Sequence, residues 1–311
     1  MPKYTMRDGE QMHVLEIGRG EPVVLIHGLG MDGNPWLPFA STSVLNKRFY
    51  IPDLRGWGKS RGMRMDSDYY LGQLADDMHD LIVKIGAPKV ALVGISLGAG
   101  VGQEYLKRYG DSMISRYMNI DFPSHMIRAD APDAMPATLI ETGEAMLAEA
   151  KYFDASVPLT KLPKSYQHKH FTLLYGVLRN SLKMPWQRAI AMSIEYNPLM
   201  KTFLSEHSSQ GCWYATLKCI ESFASDQYDC REALKSIQIP VTNVVGTHDT
   251  LFPLRELKQV SELLPNSKTV EFYHSGHLLM VTEVPKFTRV FRSFLAEGNG
   301  SAAYEFTSKS V

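Results

Sequence analysis

Cysteine is scarce in this 311-residue chain, which has only Cys212, Cys219 and Cys230. Three is an odd number, and no two of these residues form a Cys-x-x-Cys pair. A disulfide framework usually needs an even set of cysteines, and a cysteine-ligated zinc site usually needs such pairs. We therefore expect reduced thiols, which are typical of a cytoplasmic protein, and no metal site built on cysteine.

Excess charge and long apolar runs are lacking as well. Lysine plus arginine and aspartate plus glutamate both number 33, so the formal net charge is zero. Nucleic-acid binders rely on an excess of cations, so no nucleic-acid partner is expected. The sequence has no apolar segment long enough for a membrane span, and its first residues lack the apolar core of a signal peptide. These features predict a cytoplasmic protein without a membrane span.

The most informative stretch that is present covers residues 89–102, KVALVGISLGAGVG. It starts as a short apolar run, turns at GISLG and continues with small residues typical of a helix start. Gly-x-Ser-x-Gly between a strand and a helix is the pattern of a nucleophile elbow, which lifts the serine hydroxyl above the sheet. Ser96 is therefore the candidate nucleophile. We expect a side chain at Gly94 or Gly98 to collide with the neighbouring strand or helix.

Short apolar runs alternate with amphipathic helical segments at both ends of the chain. This alternation predicts an α/β fold with a mostly parallel sheet and helices on both faces. We expect Asp68 to cap the first long helix. The predicted strands are residues 12–17, 22–26, 49–52, 90–93, 116–121, 241–245 and 269–272, and the helices among them include residues 69–85, 254–263 and 285–295.

The middle of the chain, residues 123–237, has no apolar run typical of a buried parallel strand. It is rich in Leu, Met and aromatic residues, which argues against a linker. We expect a helical cap domain over the carboxyl edge of a core made of residues 1–122 and 238–311. Most of its aromatic residues should form the cap's own core, and a few should line an apolar pocket above Ser96. Its predicted helices are residues 137–152, 166–181, 185–195 and 211–222.

A serine nucleophile needs a base, and the base needs an acid that orients it. His277 is the candidate base, because it lies between the last predicted strand and the last predicted helix, at the edge where Ser96 emerges. Asp249 is the preferred acid, since it follows the predicted strand at residues 241–245. Asp121, at the end of the preceding predicted strand, is the rival acid.

Five short motifs, in this order, resemble those of α/β-hydrolases with a cap domain. The resemblance covers essentially the whole chain and implies a triad in the order Ser96, Asp249, His277. It also implies an oxyanion hole made of the backbone N–H groups of Leu29 and Leu97. The motifs are HGLG at 27–30, DLRGWGKS at 53–60, GISLG at 94–98, GTHD at 246–249 and SGH at 275–277.

Other polar residues in these motifs are interpreted as structural. His27 is expected to buttress its loop, and Asp53 and Arg55 to hold a turn and tie loops together. The spacings at residues 168–170 (His-x-His) and 274–277 (His-x-x-His) come without a convincing third ligand, so no metal site is expected. We expect no cofactor either.

These residues favour a serine hydrolase of the esterase or lipase kind. It would cleave a small carboxylic ester with an apolar acyl or ring group through an acyl-enzyme. The resemblance leaves alternatives open on the same triad, first a C–C bond hydrolase or lactonase, then an amidase, a thioesterase, a cofactor-free haloperoxidase, or acyl transfer to an alcohol. A non-catalytic binder of a small molecule is a further alternative. Epoxide hydrolases and dehalogenases of this fold have an aspartate at the elbow, so Ser96 argues against both.

Overall fold

The computed structural model of the chain describes residues 3–126, 137–180 and 213–297. Eight strands in these ranges form one sheet. The seven strands predicted from apolar runs are all present, with ends that agree to within two residues. The strands are β1 (Lys3–Thr5), β2 (Gln11–Gly18), β3 (Glu21–Ile26), β4 (Lys47–Pro52), β5 (Val90–Ile95), β6 (Ile114–Ile120), β7 (Val241–Gly246) and β8 (Ser267–Phe272).

The strands lie in the order β1-β2-β4-β3-β5-β6-β7-β8. β2 runs antiparallel to both β1 and β4, and the other neighbouring pairs are parallel. This confirms the mostly parallel sheet that the sequence predicts. The sequence pattern does not reveal β1, because three residues with exposed ends carry no apolar signal.

Helices cover both faces of the sheet, as predicted, and the predicted helix ends agree to within two residues. The helix predicted at residues 185–195 lies outside the described residues. No helix in the described ranges is long and apolar enough to cross a membrane. The α-helices are α1 (Leu37–Ala40), α2 (Tyr70–Ile85), α3 (Leu97–Tyr109), α4 (Ala137–Ala150), α5 (Lys164–Asn180), α6 (Trp213–Ala224), α7 (Arg231–Leu234), α8 (Leu254–Leu263), α9 (Leu279–Thr282) and α10 (Val284–Ala296).

The core lies on both faces of the central strands. All six residues of β5 are buried, as expected for a parallel strand covered on both sides. On one face α2 and α3 pack against each other and α3 packs against β5. On the other face aromatic rings from α1 and α10 interlock, with Phe39 and Phe287 edge-to-face at 4.9 Å between ring centroids. This packing fixes the carboxyl end of β5 in the middle of the sheet edge.

The helices α4, α5 and α6 form the described part of a helical cap. α4 packs against both α5 and α6. Phe153, Tyr166 and Trp213 form an aromatic cluster with ring centroids 4.9 to 6.5 Å apart. The Trp213 indole N–H donates to the carbonyl oxygen of Val157 at 2.9 Å. These aromatic residues therefore belong to the cap's own core, as predicted.

The start of α2 differs from the prediction, because Asp68 does not cap it. The N-cap residue is Tyr69, whose side chain makes no capping hydrogen bond. The Leu71 N–H instead donates to Ser222 Oγ of α6 at 3.3 Å. Local sequence patterns point only to neighbouring residues, and this partner is 151 positions away.

The cap leaves and rejoins the core through two paired segments. His125 and Asp229 form an antiparallel bridge, and the Met126 N–H donates to the carbonyl oxygen of Tyr228 at 3.0 Å. The incoming and outgoing segments therefore lie side by side at the base of the cap. The division of the chain into a cap at residues 123–237 and a core on either side stays a prediction.

Candidate active site

Ser96 lies at the turn between β5 and α3. Its φ is 51° and its ψ is −122°, a conformation that non-glycine residues rarely adopt. The Ser96 N–H donates to the carbonyl oxygen of Ile120 at 2.9 Å, and its own carbonyl oxygen accepts the N–H groups of Ala99 and Gly100. The turn leaves the Ser96 side chain partly exposed, while the residues on either side are buried.

Close packing requires glycine on both sides of this serine. A Cβ at Gly94 would lie 2.2 Å from the carbonyl oxygen of Gly98, in the first turn of α3. A Cβ at Gly98 would lie 2.5 Å from the carbonyl oxygen of Ile26, at the end of β3. The predicted collisions with the neighbouring helix and strand are therefore confirmed.

The structure brings Ser96, His277 and Asp249 together. His277 Nε2 lies 2.7 Å from Ser96 Oγ, and His277 Nδ1 lies 2.9 Å from Asp249 Oδ2. In the tautomer that fits this geometry, Nδ1–H donates to the carboxylate and Nε2 accepts from the hydroxyl. A neutral imidazole held in this way can take the proton of a serine alcohol.

The loop that carries His277 is held by its own polar side chains. Ser275 Oγ donates to Glu283 Oε2 at 2.6 Å. The Ser275 carbonyl oxygen accepts the N–H of His248 at 3.0 Å. The second contact joins the loop after β8 to the loop after β7, so the base and its acid are positioned by one hydrogen-bonded unit.

Asp249 and His277 have a further contact that sequence reasoning did not identify. Asp249 Oδ1 accepts the N–H of Leu251 at 2.7 Å, which leaves Oδ2 for the imidazole. The buried ring of Phe252 packs edge-on against the His277 ring at 5.4 Å between centroids. Phe252 lies three residues after Asp249, and this proximity in sequence is the signal by which it could have been found.

Asp121, the rival acid, lies beside the same imidazole nitrogen. Its Oδ2 is 3.6 Å from His277 Nδ1, against 2.9 Å for Asp249. A separation of 3.6 Å is too long for a hydrogen bond. Burial and the neighbouring charge of Asp249 raise the pKa of Asp121 well above its ordinary value. Asp249 therefore bonds the imidazole, and Asp121 borders the pair.

The N–H groups of Leu29 and Leu97 donate no hydrogen bond to any residue in the described ranges. Leu97 is the first residue of α3, where the backbone N–H groups have no intrahelical partner and the helix dipole favours negative charge. A Cβ at Gly28 would lie 3.5 Å from Ser96 Cβ, so the loop that carries Leu29 lies against the serine. Both N–H groups therefore lack a partner among the described residues, and they belong to segments that adjoin Ser96.

His27 uses both ring nitrogens to hold the backbone. Its Nε2 accepts the N–H of Leu54 at 3.0 Å, and its Nδ1–H donates to the carbonyl oxygen of Gly28 at 2.8 Å. Burial lowers the pKa of His27, which keeps the ring neutral. The ring therefore has no free nitrogen for a role as a base, in agreement with its structural interpretation.

Asp53 and Arg55 also hold loops, as the sequence analysis expects. Asp53 accepts the N–H groups of Gly33 and Lys59, each at 2.9 Å. The buried Arg55 guanidinium forms an ion pair with Asp77 at 2.6 Å. These contacts tie the loop after β4 to the loop after β3 and to α2.

Two apolar side chains, Leu174 of the cap and Phe252 of the core, contact the neighbours of Ser96. Leu174 of α5 reaches the loop that carries Leu29, since a Cβ at Gly30 would lie 3.9 Å from Leu174 Cδ2. Phe252 covers one side of the imidazole, as described above. Leu174 and Phe252 therefore place one apolar side chain on the neighbouring loop and one on the imidazole.

A separate cavity of about 780 Å³ lies between the core and the cap. Its walls are residues 61–66 and 154–158 together with Thr160, Trp213 and Tyr214. Neither Ser96 nor His277 lines it, so this cavity is distinct from the space above the serine.

Asp121, Asp249 and His277 each offer one possible metal-ligand atom within 4.8 Å of the others. Two carboxylates and an imidazole are donors that Zn²⁺ accepts. A cation there would compete with the hydrogen bond between His277 Nδ1 and Asp249 Oδ2. The contact of His277 with Ser96 fits a serine hydrogen-bonded to a histidine and an acid rather than a metal centre.

The sheet and the site together define a class of protein. It is an α/β fold in which a strained serine follows the central strand, and a histidine and an acid follow later strands. A profile of the family described as alpha/beta hydrolase fold matches residues 21–284. The chain belongs to the alpha/beta-hydrolase fold family, as its five motifs imply.

Similar proteins align over nearly the whole chain at low identity. A non-heme chloroperoxidase, CPO-A1, from Kitasatospora aureofaciens is 26% identical over 311 residues, covering 95% of this chain and 99% of that protein. A pimeloyl-acyl-carrier-protein methyl ester esterase from Aeromonas salmonicida (strain A449) is 23% identical, covering 91% and 98%. The solved enol-lactonase from Burkholderia xenovorans LB400 aligns with a TM-score of 0.73 at 19% identity, covering 95% and 100%.

Proposed function

We propose that the protein is a serine hydrolase that cleaves carboxylic esters with an apolar acyl or ring group. The observation that carries this proposal is the pair of contacts at His277, 2.7 Å to Ser96 and 2.9 Å to Asp249. A serine alcohol is a weak nucleophile until a positioned base takes its proton. The names of two similar proteins, an esterase and an enol-lactonase, support the same chemistry.

In the proposed reaction, Ser96 Oγ attacks the ester carbonyl carbon while His277 Nε2 takes the serine proton. Asp249 stabilises the imidazolium and keeps its orientation. The intermediate collapses when His277 gives that proton to the leaving alcohol oxygen, which leaves the acyl group on Ser96. Water then attacks the acyl-enzyme, with His277 taking the water proton and returning it to Ser96 Oγ.

We assign the oxyanion hole to the N–H groups of Leu29 and Leu97. The carbonyl oxygen carries negative charge in both tetrahedral intermediates, and these two donors have no other partner among the described residues. Each such donor contributes roughly 3 kcal/mol to transition-state stabilisation in comparable sites. Because both are backbone groups, substituting either leucine side chain should not remove them.

Two apolar side chains next to the site support the proposed substrate class. Leu174 and Phe252 are apolar, and apolar clefts with few polar groups favour an acyl chain or a ring over a sugar or a phosphate. Every step above uses only side chains and backbone groups of this chain, so we propose no cofactor. The buried free thiols of Cys219 and Cys230 support the proposed cytoplasmic location.

Ser96→Ala is expected to abolish turnover of p-nitrophenyl acyl esters, by roughly 10⁵–10⁶-fold, because no other group replaces the nucleophile. Ser41→Ala is the matched control, since Ser41 is exposed and its hydroxyl donates to the carbonyl oxygen of Pro38, far from the site. Circular dichroism and thermal unfolding should show that both variants fold. Turnover at the wild-type rate in Ser96→Ala would contradict the assignment.

A serine-directed fluorophosphonate separates an enzyme from a non-catalytic binder. A stoichiometric adduct at Ser96 is expected, and absence of labelling in the folded protein would favour the binder. Product analysis in the presence of an added alcohol detects acyl transfer.

A lactonase or a C–C bond hydrolase is the second candidate, and the fold likeness to an enol-lactonase favours its inclusion. An ester chain-length series, measured beside a lactone and a diketone, distinguishes these activities. Strong activity on the lactone or the diketone with only trace ester turnover would shift the assignment.

A further inference from the structure

Asp121 lies where β6 ends, next to the end of β7. Its N–H donates to the carbonyl oxygen of Val244 at 2.9 Å, and its Oδ1 accepts the N–H of Gly246 at 3.0 Å. Its φ is 56°, in the left-handed region that aspartate and asparagine enter more readily than other residues with a Cβ. These contacts hold a fully buried carboxyl group in one orientation beside the imidazole of His277.

The second oxygen of this carboxyl group, Oδ2, has no hydrogen-bond donor among the residues that the structure describes. It is 3.6 Å from His277 Nδ1, whose proton is directed to Asp249. An ionised carboxylate only accepts hydrogen bonds, and a buried acceptor without a donor costs roughly 1–3 kcal/mol, more when it is charged. A proton on Oδ2 removes this cost, because it turns the oxygen into a donor, and the carboxylate of Asp249 is the acceptor that lies beside it.

We propose that Asp121 is a positioning residue that stays protonated and donates a hydrogen bond to Asp249, so that the two buried acids hold one negative charge beside His277. The proposal rests on the proposed function, because Asp249 and His277 are its acid and base. In this arrangement Asp121 touches no substrate atom, and it acts through the orientation and charge of Asp249.

The other groups around the two acids agree with this division. Among the described residues, the titratable side chains that face Asp121 are Asp249, on the loop after β7, and His277, on the loop after β8. Burial and the charge of Asp249 raise the pKa of Asp121, as expected when two carboxyl groups share one site. Asp249 is the better holder of the charge, because it also accepts backbone N–H groups from Leu251 and Phe252.

Two substitutions of Asp121 should differ in their effect on the pH dependence of kcat/KM for a p-nitrophenyl ester. The quantity to compare is the pH at which kcat/KM falls on the acid side, called the acid limb. Asp121→Asn keeps an N–H donor for Asp249 and an oxygen for Gly246, so the limb should stay in place and kcat/KM should stay within about threefold. Asp121→Leu keeps the shape but removes the donor, so more of the Asp249 charge acts on the imidazole. The limb should then move to higher pH, by about one unit.

Each of the other outcomes overturns the proposal. If Asp121 were ionised, Asp121→Asn would remove an anion beside the imidazole and move the acid limb to lower pH. If Asp121 were a bystander, Asp121→Leu would leave the limb unmoved. Urea unfolding and active-site titration with a fluorophosphonate show whether each variant is folded and competent.

Infrared difference spectroscopy tests the protonation of Asp121 without any turnover. At pH 7 the wild-type protein should show the carbonyl band of a neutral carboxylic acid that Asp121→Asn lacks, with a shift of that band in D₂O. No difference band would mean that Asp121 is ionised, which overturns the proposal even if Asp121→Leu fails to fold. Because the band needs no substrate, this readout fails independently of the proposed ester hydrolysis.

Discussion

The choice between two acids at His277 is decided by less than an ångström, 2.9 Å to Asp249 against 3.6 Å to Asp121. Both residues follow neighbouring parallel strands, so the strand pattern places both at the same edge of the sheet. The path of the loop after β7 sets the difference, since the N–H of Asp249 donates back to the carbonyl oxygen of Gly246. The sequence therefore indicates both candidate acids. It does not show which of them lies closer to His277, because that depends on a loop conformation that no local pattern predicts.

Asp249→Asn is expected to lower kcat by roughly 10⁴-fold with little change in KM, because an amide N–H facing His277 Nδ1 holds the wrong tautomer. Steady-state kinetics on a p-nitrophenyl ester measure this loss. The matched control is Asp68→Asn, an exposed aspartate for which the described ranges contain no hydrogen-bond partner. A fall of less than tenfold would mean that Asp121 orients the imidazole in place of Asp249.

At the scale of elements, the sequence predicts those strands and helices that a continuous run of residues marks. β5 is an apolar run buried on both faces, and β7 is a fully buried strand rich in valine, so both are found from the sequence. Two features lie outside such patterns. The pairing of β1 with β2 rests on backbone hydrogen bonds of three residues, and the start of α2 is capped from α6. Both depend on contacts between segments that the sequence does not place next to each other.

The elbow depends on the close approach of α3 to β3, and Gly98→Ala tests this. The new methyl group would meet the carbonyl oxygens of Ile26 and His27 at 2.5 and 2.7 Å, and neither can move without displacing β3 or its loop. Overpacking of this kind costs about 2–3 kcal/mol, so the free energy of unfolding and kcat should both fall. Urea unfolding and ester kinetics measure the two effects.

Gly62→Ala is the matched control for this prediction, because a Cβ at Gly62 would meet no atom within 4 Å. It should leave both stability and kcat close to those of the wild-type protein. Equal effects in the two variants would show that the contact of Gly98 with β3 does not hold the elbow in place.

At the scale of the whole molecule, a buried group of charges ties several parts of the fold together. Glu21 of β3 pairs with Lys47 of β4 and, at 2.6 Å, with Arg116 of β6. The Arg116 guanidinium also donates to the carbonyl oxygen of Phe294 near the end of α10. The partners of Glu21 are 26 and 95 positions away, so no local sequence pattern predicts these ion pairs.

This group makes stability depend on pH through Glu21. Burial alone would raise the pKa of Glu21, but hydrogen bonds from Arg116 and Lys47 outweigh it and lower the pKa from its ordinary 4.5. The folded state therefore favours the ionised form. The stabilisation is present above pH 4.5 and is lost as the pH falls through the lowered pKa.

Glu21→Gln should consequently unfold more easily than the wild-type protein at pH 7, and the gap between the two should narrow below pH 4.5. Urea unfolding over a pH series measures the gap. Glu262→Gln, at an exposed glutamate without an ion pair in the described ranges, should show a small gap that does not change with pH. A gap for Glu21→Gln that is equally independent of pH would contradict the prediction.

The bridge between His125 and Asp229 has a practical meaning for protein engineering. Directly opposed residues of two antiparallel segments have Cα atoms only about 5 Å apart. The chain therefore leaves the hydrolase core and returns to it at nearly the same point. Exchange of the intervening segment for one of similar length changes the chain-closure entropy little, because that entropy varies only with the logarithm of loop length. The replacement must also supply the contacts that α6 makes with the core, such as the Ser222 hydroxyl that accepts the N–H of Leu71. A chimaera built at these two positions would keep Ser96, Asp249 and His277 and would exchange the helices that lie between β6 and β7.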